Sequence, residues 1–192
     1  MPTNREAKLT LILGAKGTGK TTLLDEIIKT AKERVLICTP DEIEWQQYTA
    51  TQLLRPADFD FQGVRKFIFT NLGKKDFFNN GMRVNCFTRG FLVFDDCRLF
   101  FKGYEYEKEI FRNLIIRQRH KMRDIFLVAH GFKEIPPFFF TYTTDIILFR
   151  TTDDISARKK DLKDFDRMHA AQERVNVKAQ KEPHYFEHIK FT

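Results

Sequence analysis

The stretch Leu9–Leu24, LTLILGAKGTGKTTLL, decides the fold. Its apolar start, Leu9 to Leu13, has strand length, and Leu23, Leu24, Ile27, Ile28 and Ala31 then recur at helical spacing. Between them stands Gly14-Ala15-Lys16-Gly17-Thr18-Gly19-Lys20-Thr21, which is G-x-x-x-x-G-K-[ST] between a strand and a helix, the context the pattern requires. Glycines let a backbone curl until successive N–H groups face one anion. A helix N-terminus adds unsatisfied donors and its dipole. The segment from Gly14 through Ala15, Lys16, Gly17, Thr18, Gly19, Lys20 and Thr21 to Thr22 is therefore expected to cradle phosphates. Lys20 is expected to reach the β- and γ-phosphates of a nucleotide, and Thr21 to offer its hydroxyl to Mg²⁺.

A second stretch adds chemistry to that cradle. Phe91-Leu92-Val93-Phe94-Asp95-Asp96 is an apolar run ending in paired carboxylates. A strand ending in an acidic turn is common; downstream of a phosphate loop it is the arrangement that delivers an acid to the metal. Asp95 is expected to hold Mg²⁺, and Asp96 to polarise the attacking water. Asp124 to His130, DIFLVAH, is a further buried strand ending on a polar side chain. His130 is either a turn residue or a contact to the γ-phosphate.

Outward from these stretches the pattern alternates strand and helix, which implies an α/β fold with a mostly parallel sheet. Val35 to Thr39, Lys66 to Thr70 and Asp145 to Phe149 are the other core strands by composition. Asn71 to Arg89 is expected to be a loop with a short helix at Lys75 to Asn79. Glu105 to Arg123 is expected to be one basic helix carrying Lys108, Arg112, Arg117, Arg119, Lys121 and Arg123. Its charge suits a solvated face or a DNA- or subunit-facing one equally. Gly131 to Thr144, with Pro136-Pro137 and Phe138 to Phe140, is expected to be irregular. Trp45, after the second strand, is expected in ordinary packing, with base stacking as the alternative. From Ser156 a charged helix with the stripe Leu162, Phe165, Met168, Ala171 and Val175 runs to Pro183, and His184 to Phe191 forms a terminal strand. Residues 1–7 read as a polar arm, 8–155 as the phosphate-loop core, and 156–192 as a helix and strand packed on the same domain.

The 192 residues have a hydrophobic content of 42%, enough for a core, and 21 phenylalanines, so aromatic packing is expected to dominate it. The net charge of +7 suits a polyanionic partner such as nucleic acid without requiring one. Cys38, Cys86 and Cys97 fit no zinc spacing and read as reduced thiols of a cytosolic setting. No apolar run has transmembrane length, and the first residues lack the apolar segment of a secretory signal.

Three blocks together go beyond a generic phosphate-loop protein: Phe91–Asp96, Arg117–His130 (RQRHKMRDIFLVAH) and Thr144–Arg158 (TDIILFRTTDDISAR). The second resembles the R-H-x-x-x-D-I-x-L-x-x-Q stretch of the FtsK–HerA branch of DNA-pumping ATPases. That branch includes viral genome-packaging ATPases and the Zot-like proteins of filamentous phages. The third is similar to the last core strand of the branch and the arginine-bearing turn after it.

The resemblance, over roughly residues 8 to 158, implies a three-layer RecA/FtsK-like domain that hydrolyses ATP with Mg²⁺. It implies a hexameric or pentameric ring with ATP at each subunit interface, and DNA gripped through its phosphate backbone without sequence preference. It further implies a capsid vertex partner and a location in the host cytoplasm or on the virion. A catalytic arginine would come across the interface. Arg158 lies where the branch places one, Arg150 is near it, and Arg119 and Arg123 are alternatives. The chain departs from the branch in having Asp95-Asp96 for Asp-Glu, and His130 for Gln or Asn. A Zot-like filament-assembly ATPase is the close alternative, although such proteins usually carry a membrane span after the ATPase domain. A phosphate-loop kinase for a small molecule is the other, and it would need an arginine-rich lid, of which there is no clear sign.

Overall fold

The computed structural model describes residues 6–40, 42–53, 55–69, 73–101 and 103–191. The strands are β1 (Leu9–Leu13), β2 (Val35–Thr39), β3 (Val64–Ile68), β4 (Gly90–Phe94), β5 (Arg123–Ala129), β6 (Asp145–Phe149) and β7 (Phe186–Lys190). The helices are α1 (Lys20–Thr30), α2 (Lys74–Asn85), α3 (Glu105–Ile116), α4 (Pro137–Tyr142) and α5 (Phe165–Lys178). The strands form one seven-stranded sheet in the order β3-β2-β4-β5-β1-β6-β7. Every pairing is parallel except β6 with β7.

Both faces of the sheet are covered at its centre, which is why β1, β2, β4, β5 and β6 are buried along almost all of their length rather than alternating. On one face Ile12, Ile37, Val93 and Val128 pack with Leu24 and Ile28 of α1 and with Trp45. On the other, Leu11, Leu92, Phe94 and Leu127 pack with α2, α3, α4 and α5 through Phe77, Phe111, Phe139 and Met168. The result is the three-layer α/β architecture expected from the sequence. The phenylalanine excess goes into this second face. The ring of Phe69 meets those of Phe77, Phe94 and Phe100 edge-on at 5.2, 6.1 and 5.1 Å, and Phe94 lies 4.8 Å from Phe111.

Several boundaries differ from expectation. β3 starts at Val64, and Thr70 lies outside the described residues. The segment expected to be mostly loop is a helix through Asn85, in which Gly81 sits so close to Ile110 of α3 that a Cβ would lie 2.4 Å from its Cγ2. Glycine there lowers helix propensity but lets two helices touch. α3 stops at Ile116, and the residues up to Met122 are turns. The proline-rich segment does form a short helix, because Pro137 occupies its first position, where a missing N–H costs nothing. α5 begins at Phe165, with Asp164 accepting from the Arg167 N–H as its cap. Of the N-terminal arm, residues 1–5 lie outside the described residues. The outer edge of β3 is covered by residues 49–51, whose Thr51 N–H donates to the Lys66 carbonyl while Thr49 accepts from Lys66.

Candidate nucleotide site

The sheet order brings three strand ends together. β5 lies between β1, which leads into the glycine-rich loop, and β4, which leads into the paired acids. Their C-terminal ends open on one cleft of about 490 Å³, where parallel α/β sheets place ligands.

The loop is anchored before it curls. The Gly14 N–H donates to the Ala129 carbonyl of β5, and the Ala15 N–H to the Arg150 carbonyl just after β6. Gly14 and Ala15 thus serve the sheet junction, whereas Lys16, Gly17, Thr18, Gly19, Lys20, Thr21 and Thr22 line the cleft. Gly17 and Gly19 adopt φ of 79° and 98°, left-handed values that side chains resist. Gly19 then caps α1, so the helix N-terminus points its free donors into the cleft. The Lys20 ammonium donates to the Gly14 carbonyl at 2.6 Å and the Ala15 carbonyl at 3.0 Å. Burial lowers its pKa; Asp95, Asp96 and Glu134 oppose that shift.

The acids stand opposite. Asp95 is 8% exposed. Its Oδ2 accepts from the Trp45 indole N–H at 2.7 Å and its Oδ1 from the Asp96 N–H at 3.1 Å. Burial pushes the Asp95 carboxyl upward, and the Trp45 hydrogen bond is the largest effect pulling it back. Asp96 has a left-handed backbone, φ 51°, a conformation found disproportionately at functional sites in residues other than glycine. Its Oδ2 lies 3.4 Å from Arg98 Nη2 and 3.9 Å from His130 Nε2, while its buried Oδ1 has no hydrogen-bond partner.

His130 joins the two halves. Its Nδ1 is 3.5 Å from Lys20 Nζ, and since an ammonium only donates, the imidazole accepts there. Its backbone N–H donates to Glu134 Oε2 at 2.7 Å. Lys20, His130 and Asp96 therefore form a continuous polar series from the phosphate loop to the acids.

The donor set fits a small hard cation. Among the described residues no cluster of three or more His, Cys, Asp or Glu side chains would hold a metal unaided. Mg²⁺ does not need such a cage: it takes one or two protein oxygens and completes its shell with water and phosphate. Thr21 and Asp95 both line the cleft, and the partnerless Asp96 oxygen would accept from a water of that shell.

The arginines divide differently. Arg158 is turned into its own chain: Nε donates to the Phe132 carbonyl at 3.2 Å, Nη2 to the Lys133 carbonyl at 2.9 Å, and Nη1 is 3.5 Å from Asp161. Arg150 is exposed and does not line the cleft. Arg123, at the opposite end of β5, is fully buried, with Nη1 and Nη2 donating to the Phe87 and Leu114 carbonyls at 3.1 and 2.8 Å. Arg119 precedes it at that end and faces Glu6 at 3.8 Å. None of them reaches the cleft of its own chain. Three ionisable side chains of the cleft were not singled out as site residues from sequence: Arg98, Glu44 and His184, the last beside Gly19 from the turn before β7. Trp45, 5% exposed, packs as expected and also donates to the Asp95 carboxylate, a role that apolar spacing does not reveal.

No family model and no curated protein sequence matches the chain. Solved structures do. The DNA-packaging ATPase B204 of Sulfolobus turreted icosahedral virus superposes with a TM-score of 0.63 at 14% identity, over 95% of this chain and 92% of that one. The genome-packaging NTPase B204 of Sulfolobus turreted icosahedral virus 2, in complex with AMPPCP, gives 0.64 at 12% identity, over 96% and 92%. The N-terminal domain of zonular occludens toxin from Neisseria meningitidis gives 0.46 at 13% identity, over 98% and 95%, too loose a likeness to carry an argument. At these identities the likeness to B204 establishes a shared fold over nearly the whole of both chains.

Proposed function

We propose that the chain is an ATP-hydrolysing DNA translocase of the FtsK–HerA branch that packages a viral genome, working as a ring. The observation that carries the reading is the Lys20–His130–Asp96 series across the ends of three adjacent strands. A phosphate cradle alone would support binding; acids and a polar strand end facing it support hydrolysis. The fold shared with B204, described as a genome-packaging NTPase and crystallised with AMPPCP, supports the nucleotide and the task together. The net charge of +7 supports a DNA partner held through its backbone. A capsid vertex protein is the partner this task would require, in the host cytoplasm or on the virion. Among the described residues no helix is long and apolar enough to cross a membrane.

The division of labour follows from the geometry. The loop N–H groups from Lys16 to Thr22 and the Lys20 ammonium bind and orient the triphosphate. Lys20 exchanges its carbonyl acceptors for phosphate oxygens. Thr21 and Asp95 would hold Mg²⁺, which when bound neutralises charge on the β- and γ-phosphate oxygens. Asp96 orients the water through Oδ2, which lies beside Arg98 and His130, and His130 fixes the γ-phosphate end by contact with Lys20. Trp45 keeps Asp95 in place and shields it from water.

The deciding experiment is ATP hydrolysis with and without double-stranded DNA. Stimulation by DNA of any sequence, lost at high salt, is the expected result. Absence of stimulation, together with phosphoryl transfer to a small acceptor, would replace the motor by a kinase.

A further inference from the structure

Phosphoryl transfer spreads negative charge over the γ-oxygens, and a guanidinium that meets it beside Lys20 and the metal accelerates such reactions by about 10³-fold or more. The arginines marked by sequence position lie elsewhere in their own chain, with Arg158 held by the carbonyls of Phe132 and Lys133. One guanidinium does line the cleft. Arg98 sits on the 3-10 turn Cys97–Leu99 directly after the paired acids. Its Nη2 is 3.4 Å from Asp96 Oδ2 and its Nη1 3.9 Å from Glu134 Oε1.

These pairings are weak in a specific way. The Arg98 side chain is 55% exposed, the distances are long, and half-solvated ion pairs of this kind contribute about 0–1 kcal/mol. A γ-phosphate offers several charged oxygens in a geometry that a guanidinium fork matches with two parallel hydrogen bonds. Once a triphosphate occupies the loop, the stronger acceptor lies in the same cleft. We infer that Arg98 is a second catalytic cation supplied by the same chain, which leaves Asp96 for the γ-phosphate when ATP binds. This inference rests on the hydrolysis reading and names the cation for it.

The move does two things at once. It brings positive charge to the γ-phosphate, and it uncovers the oxygen of Asp96 that Arg98 covers. Asp96 Oδ2 is then free for the water, while Oδ1 stays buried. In the reaction the water oxygen forms a bond to γ-phosphorus as the bond from γ-phosphorus to the β–γ bridging oxygen breaks. The bridging electron pair leaves with ADP, and the water proton passes to Asp96 and on to the released phosphate. With ADP in the loop there is no γ-phosphate, so Arg98 returns to Asp96 and Glu134. The acid is thus covered in every state except the one holding ATP.

The test compares Arg98→Ala and Arg98→Lys with wild type in nucleotide affinity and turnover. We expect Arg98→Ala to bind ADP within about twofold of wild type, to lose the added affinity ATP has over ADP, and to turn over about 10²–10³-fold more slowly. Arg98→Lys should recover part of the affinity difference. Mixing Arg98→Ala with Lys20→Ala subunits fixes the origin of the cation: action within the chain leaves every mixture inactive. Activity regained in the mixture, wild-type turnover in Arg98→Ala, or equal loss of ADP and ATP binding would each overturn the inference. Should Arg98→Ala fail to fold, Arg98→Gln carries the same affinity comparison. A wild-type chain that neither binds nor hydrolyses ATP would instead overturn the functional reading, and this inference with it.

Discussion

The indole N–H of Trp45 donates to Asp95 Oδ2 at 2.7 Å, with both side chains buried. This bond joins the segment after β2 to the end of β4 and holds one carboxylate oxygen in a fixed direction. Trp45 is also the chain's single tryptophan. Replacing it with Phe keeps most of the packing and removes the donor. Trp45→Phe is expected to raise the Mg²⁺ concentration for half-maximal ATPase activity by about tenfold, the equivalent of one hydrogen bond to a charged group. Metal-free nucleotide affinity should stay within twofold. In the wild type, tryptophan emission should change when Mg²⁺ is added to the nucleotide complex, which fluorescence titration checks directly.

His130 stands between Lys20 and Asp96. His130→Ala is expected to lower kcat by about 10²-fold, the usual effect of losing one oriented contact to the transferring group. His130→Gln, which restores a polar group of similar reach, should recover most of it. Steady-state kinetics that separate kcat from KM decide this. A change confined to KM would place His130 in ground-state binding alone.

The packing of α2 on α3 turns on Gly81. Gly81→Ala gains about 1 kcal/mol of helix propensity but drives a methyl group against Ile110 Cγ2, and such overpacking costs about 1–3 kcal/mol. The cost is expected to win because a β-branched side chain turns with difficulty. Chemical denaturation should show a net loss of about 1 kcal/mol, and the loss should shrink when Ile110→Ala is added to both chains.

Asp25 on α1 accepts from Tyr48 Oη at 2.6 Å and lies 2.5 Å from Lys29 Nζ. Burial pushes its carboxyl up, but hydrogen bonds from Lys29, Tyr48 and Gln47 outweigh that and hold it below the ordinary carboxylate range. The Tyr48 phenol is pushed up to about 12 by burial and by Asp25. Because the folded pKa of Asp25 is depressed, its contribution is complete above the unfolded value and is lost as pH falls through the folded one. Asp25→Asn should therefore destabilise by about 0.5–1 kcal/mol at pH 7, the range for partly exposed pairs. The gap from wild type should narrow as pH falls from the unfolded carboxylate value of about 4 through the lower folded one. Thermal unfolding at pH 7 and across that acidic range measures it.

The central strands β1, β2, β4, β5 and β6 were legible because each holds an apolar run and is buried along almost all of its length, leaving no alternation to misread, whereas the border strands β3 and β7 carry Arg65, Lys66, Glu187, His188 and Lys190. Asp95 and His130 were legible as candidates because each follows such a run, and Lys20 because it closes the G-x-x-x-x-G-K-[ST] pattern. The helices were less so. Asn79-Asn80-Gly81 looks like a breaker until α3 is seen to need the missing side chain, and the basic stretch after Ile116 has helical composition but breaks into turns before β5. Arg98, Glu44 and His184 reach the cleft through strand order and turn geometry, and spacing along the chain encodes neither. Arg123 shows the converse: a charge in a basic run that folding withdraws into the core, where carbonyls replace water as its acceptors.

The two borders of the sheet bear on assembly. On one side residues 49–51 already occupy the outer hydrogen-bonding groups of Lys66. On the other, β7 is five residues long and carries Glu187, His188 and Lys190. Short, charged or covered borders deter another chain from pairing as an added strand. Copies of this protein would therefore meet through helices, turns and side chains rather than through shared backbone ladders. Contacts of that kind can loosen and re-form as a ligand comes and goes, whereas a continuous ladder would lock neighbouring copies into one rigid body.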